Sequence, residues 1–541
     1  MSATATGPRI IARQRHASGA DDARPSLLGR LLPGAVEAAA GVLVALGFTW
    51  ICTFVQVNPM QRVGQVSGLA ALQLRFILAF IAIALLWWAA SRWFSRPIAL
   101  RTAAASLSGL ATGLYAGGIA VALRGTVWPL NGKRGDSGQL QQWVGDILAG
   151  RPISSVYPPL FPHLLARWTD LLYPDRPGLG LKMLGLVLIA LTGPAVYLAW
   201  RLLLPPLWAL AIGVVPVFPI VHAAKPYVDV ALLVLIPVLA RLVTSVLRST
   251  GKSVRTALLT GAAYGLALAL LFLWYSGWFV WSAPGALAVT VLTLVKIAKR
   301  GKAAVLRAAA LLGATGAVFL LVAGTYLQRL LAGSDTPDTY MYFDTNVDPA
   351  YFAMWQGDSP GVIANGPWPL PGELGGVGVF VLLLIVGVGV ALWLGPALPV
   401  VQVAAFCMLG AFLMRYWFAS HMERDQLVQL YPRTSAELLY CGIVLFGMAC
   451  YLLSRKFAAR EETAEGERAE SFARTVGVPA LRTGGAVLCA LAFFFSMAGS
   501  STVDRFMPAN QGSWGSFAWF AHTTTQPDGK CPVFAPEGKC G

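Results

Sequence analysis

The side chains best able to do chemistry crowd into "RYWFASHMERDQLVQLYPRT", Arg415 to Thr434, where three arginines, a histidine, a glutamate and an aspartate interrupt two apolar runs. Arginine holds oxyanions through charge-assisted hydrogen bonds, and a carboxylate beside it can take a proton from a hydroxyl. If residues 421–425 are helical, His421 shares a face with Arg424 and with Asp425, at three- and four-residue spacing. Such a surface suits an anionic headgroup on arginine with hydroxyls on the carboxylates. A self-satisfied ion-pair network at a helix end fits the same residues.

Two further stretches carry isolated polar groups. "NGKRGDSGQL" sets Asp136 among small residues, where a carboxylate stays accessible as a general base and Gly135 and Gly138 let backbone approach a ligand; an ordinary turn made with Ser137 is the competing reading. "HAAKPYVD" places Lys225 before Pro226, which biases it toward extended geometry. It can meet a phosphate there, or snorkel to lipid headgroups.

The elements that must position these groups follow from composition. The 541 residues are 56% hydrophobic and only 12% charged, with mean hydropathy +0.64, which excludes an ordinary soluble domain. Apolar windows long enough to cross roughly 30 Å of hydrocarbon recur along the chain. They predict an all-α polytopic membrane protein of about thirteen spans: 34–57, 75–94, 103–123, 180–201, 206–222, 228–247, 257–275, 277–295, 308–331, 374–394, 397–414, 435–453 and 483–500. The pairs meeting at Leu204 to Pro206 and at Tyr275 to Gly277 can each be read as one kinked hairpin.

Basic residues collect in the N-terminal tail (1–33) and in alternate loops, among them Arg92, Arg96, Arg101, Arg248, Lys252, Arg255, Lys296 to Arg307, Arg455 and Lys456. The positive-inside rule makes these cytoplasmic, so the formal charge of +16 reflects topology and not a nucleic-acid groove. The first span has no cleavage signal before it and is expected to remain as an anchor. The core spans 34–455, a charged linker covers 456–482, and the last span leads to a short exterior tail, 501–541. There Cys531 and Cys540 can form a disulfide, while the other five cysteines lie in or near spans and read as small hydrophobes.

Apart from Asp21, Asp22, Glu37 and the cytoplasmic run Glu461 to Glu470, the acids fall on segments expected outside. They concentrate in three long loops, 124–179, 332–373 and 415–434, rich in Trp, Tyr, Pro and Gly. Long ordered loops tend to carry function. "QLQQWVGDIL" (139–148) is spaced for a surface helix, and "YPPLFPHLLARW" opens on proline turns. Tyr157 and several tryptophans, including Trp143, Trp274 and Trp278, populate the same rim as belt residues or sugar-stacking platforms. A bundle with an outward carboxylate and outward cations suits glycosyl transfer from a polyprenyl-phosphate sugar: helices hold the lipid, cations the phosphate, and the carboxylate activates the acceptor. The absence of a phosphate-binding P-loop motif agrees with a lipid donor. A transporter would put its ionisable groups near the midplane between broken helices, and a scaffold would leave the outward acids without purpose.

Together these segments resemble the actinobacterial arabinofuranosyltransferases that prime the galactan of arabinogalactan, membrane glycosyltransferases of the GT-C class. The 415–434 stretch looks like that family's signature, and "QRVGQVSGLAAL" (61–72), the Asp136 segment with "YPPLFP" (157–162), "KPYVDV" (225–230) and "YLQRLLAGSDTPDTYMYFDT" (326–345) resemble it in order. The resemblance implies decaprenylphosphoryl arabinofuranose as donor, a galactan hydroxyl as acceptor, and inversion with a carboxylate base. It points to Asp136 as that base with Asp146 in reserve, and to Lys225, Arg415, Arg424 and Arg433 as phosphate ligands. His421, Glu423, Asp425 and Tyr157 would meet the sugar. The chain departs from the pattern in two places. Its first exterior loop carries no acid, and only about forty residues follow the last span, where the family carries a larger exterior domain. A different galactan, a teichoic-type polymer or a protein-linked glycan are therefore alternative acceptors. No cofactor is required; Asp335, Asp338, Asp344 and Asp348 are the acids available for a divalent cation, without an EF-hand's spacing.

Overall fold

The computed structural model describes residues 27–93, 96–333, 378–426, 433–464, 477–510 and 514–541. The described chain is helical, with no strand among the described residues. Eleven helices are long and apolar enough to cross a membrane: α1 (Leu27–Cys52), α2 (Arg62–Trp93), α3 (Arg96–Ala122), α6 (Pro177–Arg201), α9 (Pro226–Arg248), α10 (Val254–Trp274), α11 (Gly277–Ala298), α12 (Lys302–Ala332), α14 (Pro399–Asp425), α15 (Thr434–Ala464) and α16 (Gly477–Arg505). Two shorter apolar segments complete the series, the broken pair α7 (Pro206–Val214) and α8 (Val217–Ile220), and α13 (Val379–Leu394). The protein is therefore an all-α, multi-pass membrane protein, and each of the thirteen expected spans has its helix.

The differences lie at helix ends. α2 begins at Arg62 and α12 at Lys302, well before the apolar windows do, because backbone hydrogen bonding continues through polar residues until a breaker stops it. The same reasoning corrects the loop expected at 415–434. "RYWFASHMERD" contains no Gly or Pro, so α14 runs through it to Asp425 and stops where Gln426 turns left-handed, φ 51°. The 204–206 and 275–277 junctions each separate two helices.

Small residues let the bundle close. α3 lies at its centre against α1, α2, α6 and α16, and a Cβ on Gly109 would come within 2.2 Å of the Gly41 carbonyl oxygen, so α1 and α3 touch backbone to backbone. The outer faces stay apolar: Leu74, Leu78, Leu85 and Trp88 on α2 are exposed, as lipid contact requires.

Helices α4 (Gly135–Leu148), α5 (Leu160–Leu172) and α17 (Gly515–Thr523) are too short to span and gather at one end of the bundle. The first two confirm the surface helices expected in 124–179. The C-terminal segment is laced to that same loop. Asn131 N–H donates to Phe517 O at 2.7 Å, Trp128 Nε1–H to Thr524 O at 3.1 Å, and Val533 N–H to Gly125 O at 3.0 Å. Cys531 and Cys540 are joined in a disulfide, as expected.

Candidate active site

The site is built where α4, α9 and the α10–α11 junction meet. "PYVDVALL" starts a helix at Pro226, whose fixed φ suits the first helical position, and so puts Lys225 at the N-cap of α9. The turn before it is tied down: the buried Asp229 carboxylate accepts from His222 N–H at 2.8 Å, and Tyr115 Oη donates to Val221 O at 2.7 Å. On the opposite wall, Leu140 and Val144 bury one face of α4 and fix its rotation. Asp136 is in its first turn, where the helix dipole favours a carboxylate.

Lys225 Nζ makes an ion pair with Asp136 Oδ2, and both side chains remain partly open, 33% and 46% exposed. Ser137 Oγ donates to Leu130 O at 2.8 Å, so its hydroxyl anchors the loop behind α4. Gly138 has a different use from the one its sequence suggests. A Cβ there would lie 2.0 Å from Lys133 O, so the close approach it permits is to the chain's own backbone.

Beneath this pair lies a layer of phenols. Tyr157 Oη and Tyr227 Oη share a hydrogen bond at 2.7 Å. Phe161 stacks on Tyr227 at 3.9 Å between centroids, and Trp143 of α4 packs on Tyr157 at 4.5 Å. Trp274 Nε1–H and Trp278 Nε1–H donate to the Tyr227 and Val228 carbonyls at 2.8 and 2.7 Å, which locks the start of α9. Arg433 donates to Tyr275 Oη at 2.5 Å. Burial raises the Tyr157 phenol above its ordinary range, the nearby Tyr275 and Asp136 add to this, and the Tyr227 hydrogen bond and the Arg433 charge oppose it; it stays protonated at neutral pH.

His222 closes the other side. It sits 4.5 Å from Trp514 and 5.2 Å from Phe517 between ring centroids. Burial, reinforced by Lys225, lowers its imidazole to about 4. Ala224 N–H donates to Nδ1 at 3.2 Å, so the neutral ring carries its proton on Nε2.

Asp136, Lys225, Arg433 and Tyr157, from four separate segments, thus come together. The other sequence-derived candidates do not join them. Asp146 lies ten residues along α4, about 15 Å away at helical rise, and is held by Arg151 at 2.8 Å. Arg415 is buried and lies next to the site without opening to it, donating to Thr434 Oγ1 at 3.1 Å and Ser435 Oγ at 2.6 Å, the two residues after Arg433, a link between α14 and α15. At the exposed end of α14, Arg424 pairs with its own neighbour Asp425 at 2.7 Å. His421 stacks on Trp417 at 4.4 Å and bonds to that residue's carbonyl oxygen, and Glu423 is exposed on the same turn. Of the ion-pair network read as the alternative for this stretch, the described residues show one pair, Arg424–Asp425.

The site residues that sequence reasoning passes over are Tyr227 and Tyr275. Each adjoins a helix start, in "KPY" and "WYSGW", but nothing in either stretch signals that both rings turn toward one point. No protein-family model matches the chain, and no curated protein matches it. Among the described residues no three His, Cys, Asp or Glu side chains are grouped to hold a metal; Asp335, Asp338, Asp344 and Asp348 lie outside the described residues, as does nearly all of loop 332–373. What the arrangement offers chemically is an accessible carboxylate, two cations and a rigid aromatic floor.

Proposed function

We propose that the protein is a GT-C-like glycosyltransferase that moves arabinofuranose from decaprenylphosphoryl arabinofuranose to a galactan-type cell-wall acceptor at the outer face of the plasma membrane. The observation that carries this reading is the Asp136–Lys225 contact at the mouth of an apolar bundle, with Arg433 beside it. Lys225 and Arg433 hold the lipid phosphate. Asp136 takes the proton of the acceptor hydroxyl while the hydroxyl oxygen bonds to the anomeric carbon and the bond from that carbon to the phosphate oxygen breaks, releasing the lipid phosphate, with inversion. The ion pair gives the sequence of events a physical basis. An exposed pair of this kind is worth at most about 1 kcal/mol, so an arriving phosphate can draw Lys225 away and leave the carboxylate free to act as base.

Orientation supports the outer face. The basic groups Arg92, Arg248, Lys252, Lys299 and Arg455 sit at helix ends opposite the site, the cytoplasmic side by the positive-inside rule; the N-terminus is then inside and the C-terminus outside. A transporter reading draws on the break between α7 and α8, but residues 205–221 contain no charged side chain, whereas such breaks in transporters hold the ion or substrate. Another polyprenyl-phosphate sugar remains the alternative within the same reaction class.

The test is transfer by purified protein from labelled decaprenylphosphoryl arabinofuranose to a short galactofuranosyl acceptor. Product formed by the wild type and lost in Asp136→Asn is the expected result. Folded protein that transfers no polyprenyl-phosphate sugar at all would refute the reading.

A further inference from the structure

On the side of α4 away from Asp136 and Trp143, the structure holds a cleft of about 980 Å³ that the chemistry above does not use. It is near the upper end of the roughly 300–1,000 Å³ range of small-molecule sites, room for more than one sugar ring. Gly138, Gln141 and Gln142 line it from α4, and Gln139 lines it from the edge between the two sides, at helical angles. The opposite walls come from the start of α6 and from the loop carrying Gln526 to Asp528.

The lining specifies the occupant. Lys133 and Arg176 are balanced by Asp175 and Asp528, and none of the four forms an ion pair with another described residue, so the cleft has no net charge with which to hold an anion. Gln139 and Gln142 are exposed and their amides have no partner among the described residues. Trp128 is buried behind this lining, its indole N–H held by Thr524 O and Lys133 Nζ lying 4.9 Å from its ring centre. Unpaired amides and carboxylates that can bridge neighbouring hydroxyls, with no net charge among the lining side chains, match a neutral polyhydroxylated chain. The way from the cleft to the base leads round the N-terminal end of α4, where the lining residues Lys133 and Gly138 flank Asp136 in the chain.

We infer that this cleft seats the body of a neutral oligosaccharide acceptor, two or more residues back from the hydroxyl that Asp136 activates. The inference rests on the glycosyl-transfer reading for its purpose but not for its detection. It assigns acceptor selectivity in part to the C-terminal segment. The wall at 526–528 is shaped by the Gln526 N–H bond to Lys530 O at 2.9 Å and by Gln526 Nε2–H donating to Cys531 O at 3.1 Å, beside the Cys531–Cys540 disulfide.

The experiment is equilibrium binding of a labelled galactofuranosyl tetrasaccharide to the full-length protein in detergent, without donor, followed by transfer kinetics. Both glutamines are exposed, so Gln139→Ala/Gln142→Ala tests the cleft without disturbing the core. The double variant is expected to raise the saccharide Kd at least tenfold and the acceptor KM in parallel, with donor KM within twofold of wild type. Asp136→Asn is expected to bind the saccharide as wild type does. If wild type transfers sugar but the double variant binds and reacts with acceptor normally, the cleft assignment falls and the transfer reading stands. Saccharide binding that depends on the glutamines in a protein that transfers nothing would keep the cleft and sink the transfer reading. No binding by wild type at millimolar saccharide overturns the inference.

Discussion

Asp136→Asn separates catalysis from structure because the side chain is partly exposed and in the first turn of α4. Asparagine keeps the size and hydrogen-bonding reach of aspartate at that position. What is lost is the charge, and with it the pair to Lys225, which at these exposures contributes no more than about 1 kcal/mol after solvent screening. Global stability should therefore change by less than about 1 kcal/mol. A missing general base typically costs about 10²- to 10⁴-fold in rate, some 3–5 kcal/mol at about 1.4 kcal/mol per decade. The effect on transfer must then exceed the effect on folding several times over. Thermal denaturation and donor transfer, measured on the same detergent preparation, give the comparison directly. Lys225→Met adds a second arm. If the lysine serves the donor phosphate, it raises donor KM; combined with Asp136→Asn, the losses are less than additive in transfer because both act on one step. Transfer by Asp136→Asn within threefold of wild type would remove Asp136 from the chemistry. A parallel collapse of stability and rate would show the pair to be structural.

Arg433→Ala should raise donor KM about tenfold or more through loss of a charge-assisted contact, whereas Arg424→Ala, whose partner is the exposed Asp425, should leave donor KM unchanged; the reverse pattern in donor titrations would move the phosphate site to the end of α14. Acid should loosen the C-terminal segment. Burial lowers both His222 and His522 to about 4, and His522 Nε2–H donates to Ala122 O while Nδ1 is buried with no partner among the described residues. The unfolded segment therefore binds more protons between pH 6.5 and 4, so the stabilisation is full above 6.5 and lost as pH falls to 4; limited proteolysis across that window, compared with His522→Gln, checks it, and flat protection would refute it. Reduction of Cys531–Cys540 opens a loop of nine residues' separation, worth about 2–3 kcal/mol to the segment by the chain-entropy relation. Reductant, or Cys531→Ser, should speed tail cleavage and raise acceptor KM before it affects donor KM, as peptide mapping and kinetics would report.

The fold was legible because hydrocarbon imposes a length rule on apolar runs: even "PLWALAIGVVPVFPI" reads as a span, although Pro216 breaks it into α7 and α8. Helix ends were less so, since α14 continues through charged residues that hydropathy assigns to a loop. In the site, Asp136 and Lys225 showed as polar groups among small or rigid neighbours, yet nothing local says that residues 89 positions apart form a pair. The 415–434 stretch drew attention by charge density alone. Arg424 is spent locally on Asp425 and His421 on Trp417, whereas Arg433, at the foot of α15, reaches Tyr275.

The lacing of the C-terminal segment onto the α3–α4 loop also sets an order of events during biogenesis. Asn131, Trp128 and Gly125 find their partners at Phe517, Thr524 and Val533, which leave the ribosome nearly four hundred residues after the loop does. Until α16 has inserted and the segment behind it has arrived, the loop leading to Asp136 lacks these contacts, though its own, such as Ser137 to Leu130, can form. A chain that stops at Arg505 would hold every long apolar helix and none of these contacts, so the loop's last ties are made only after the membrane helices are in place.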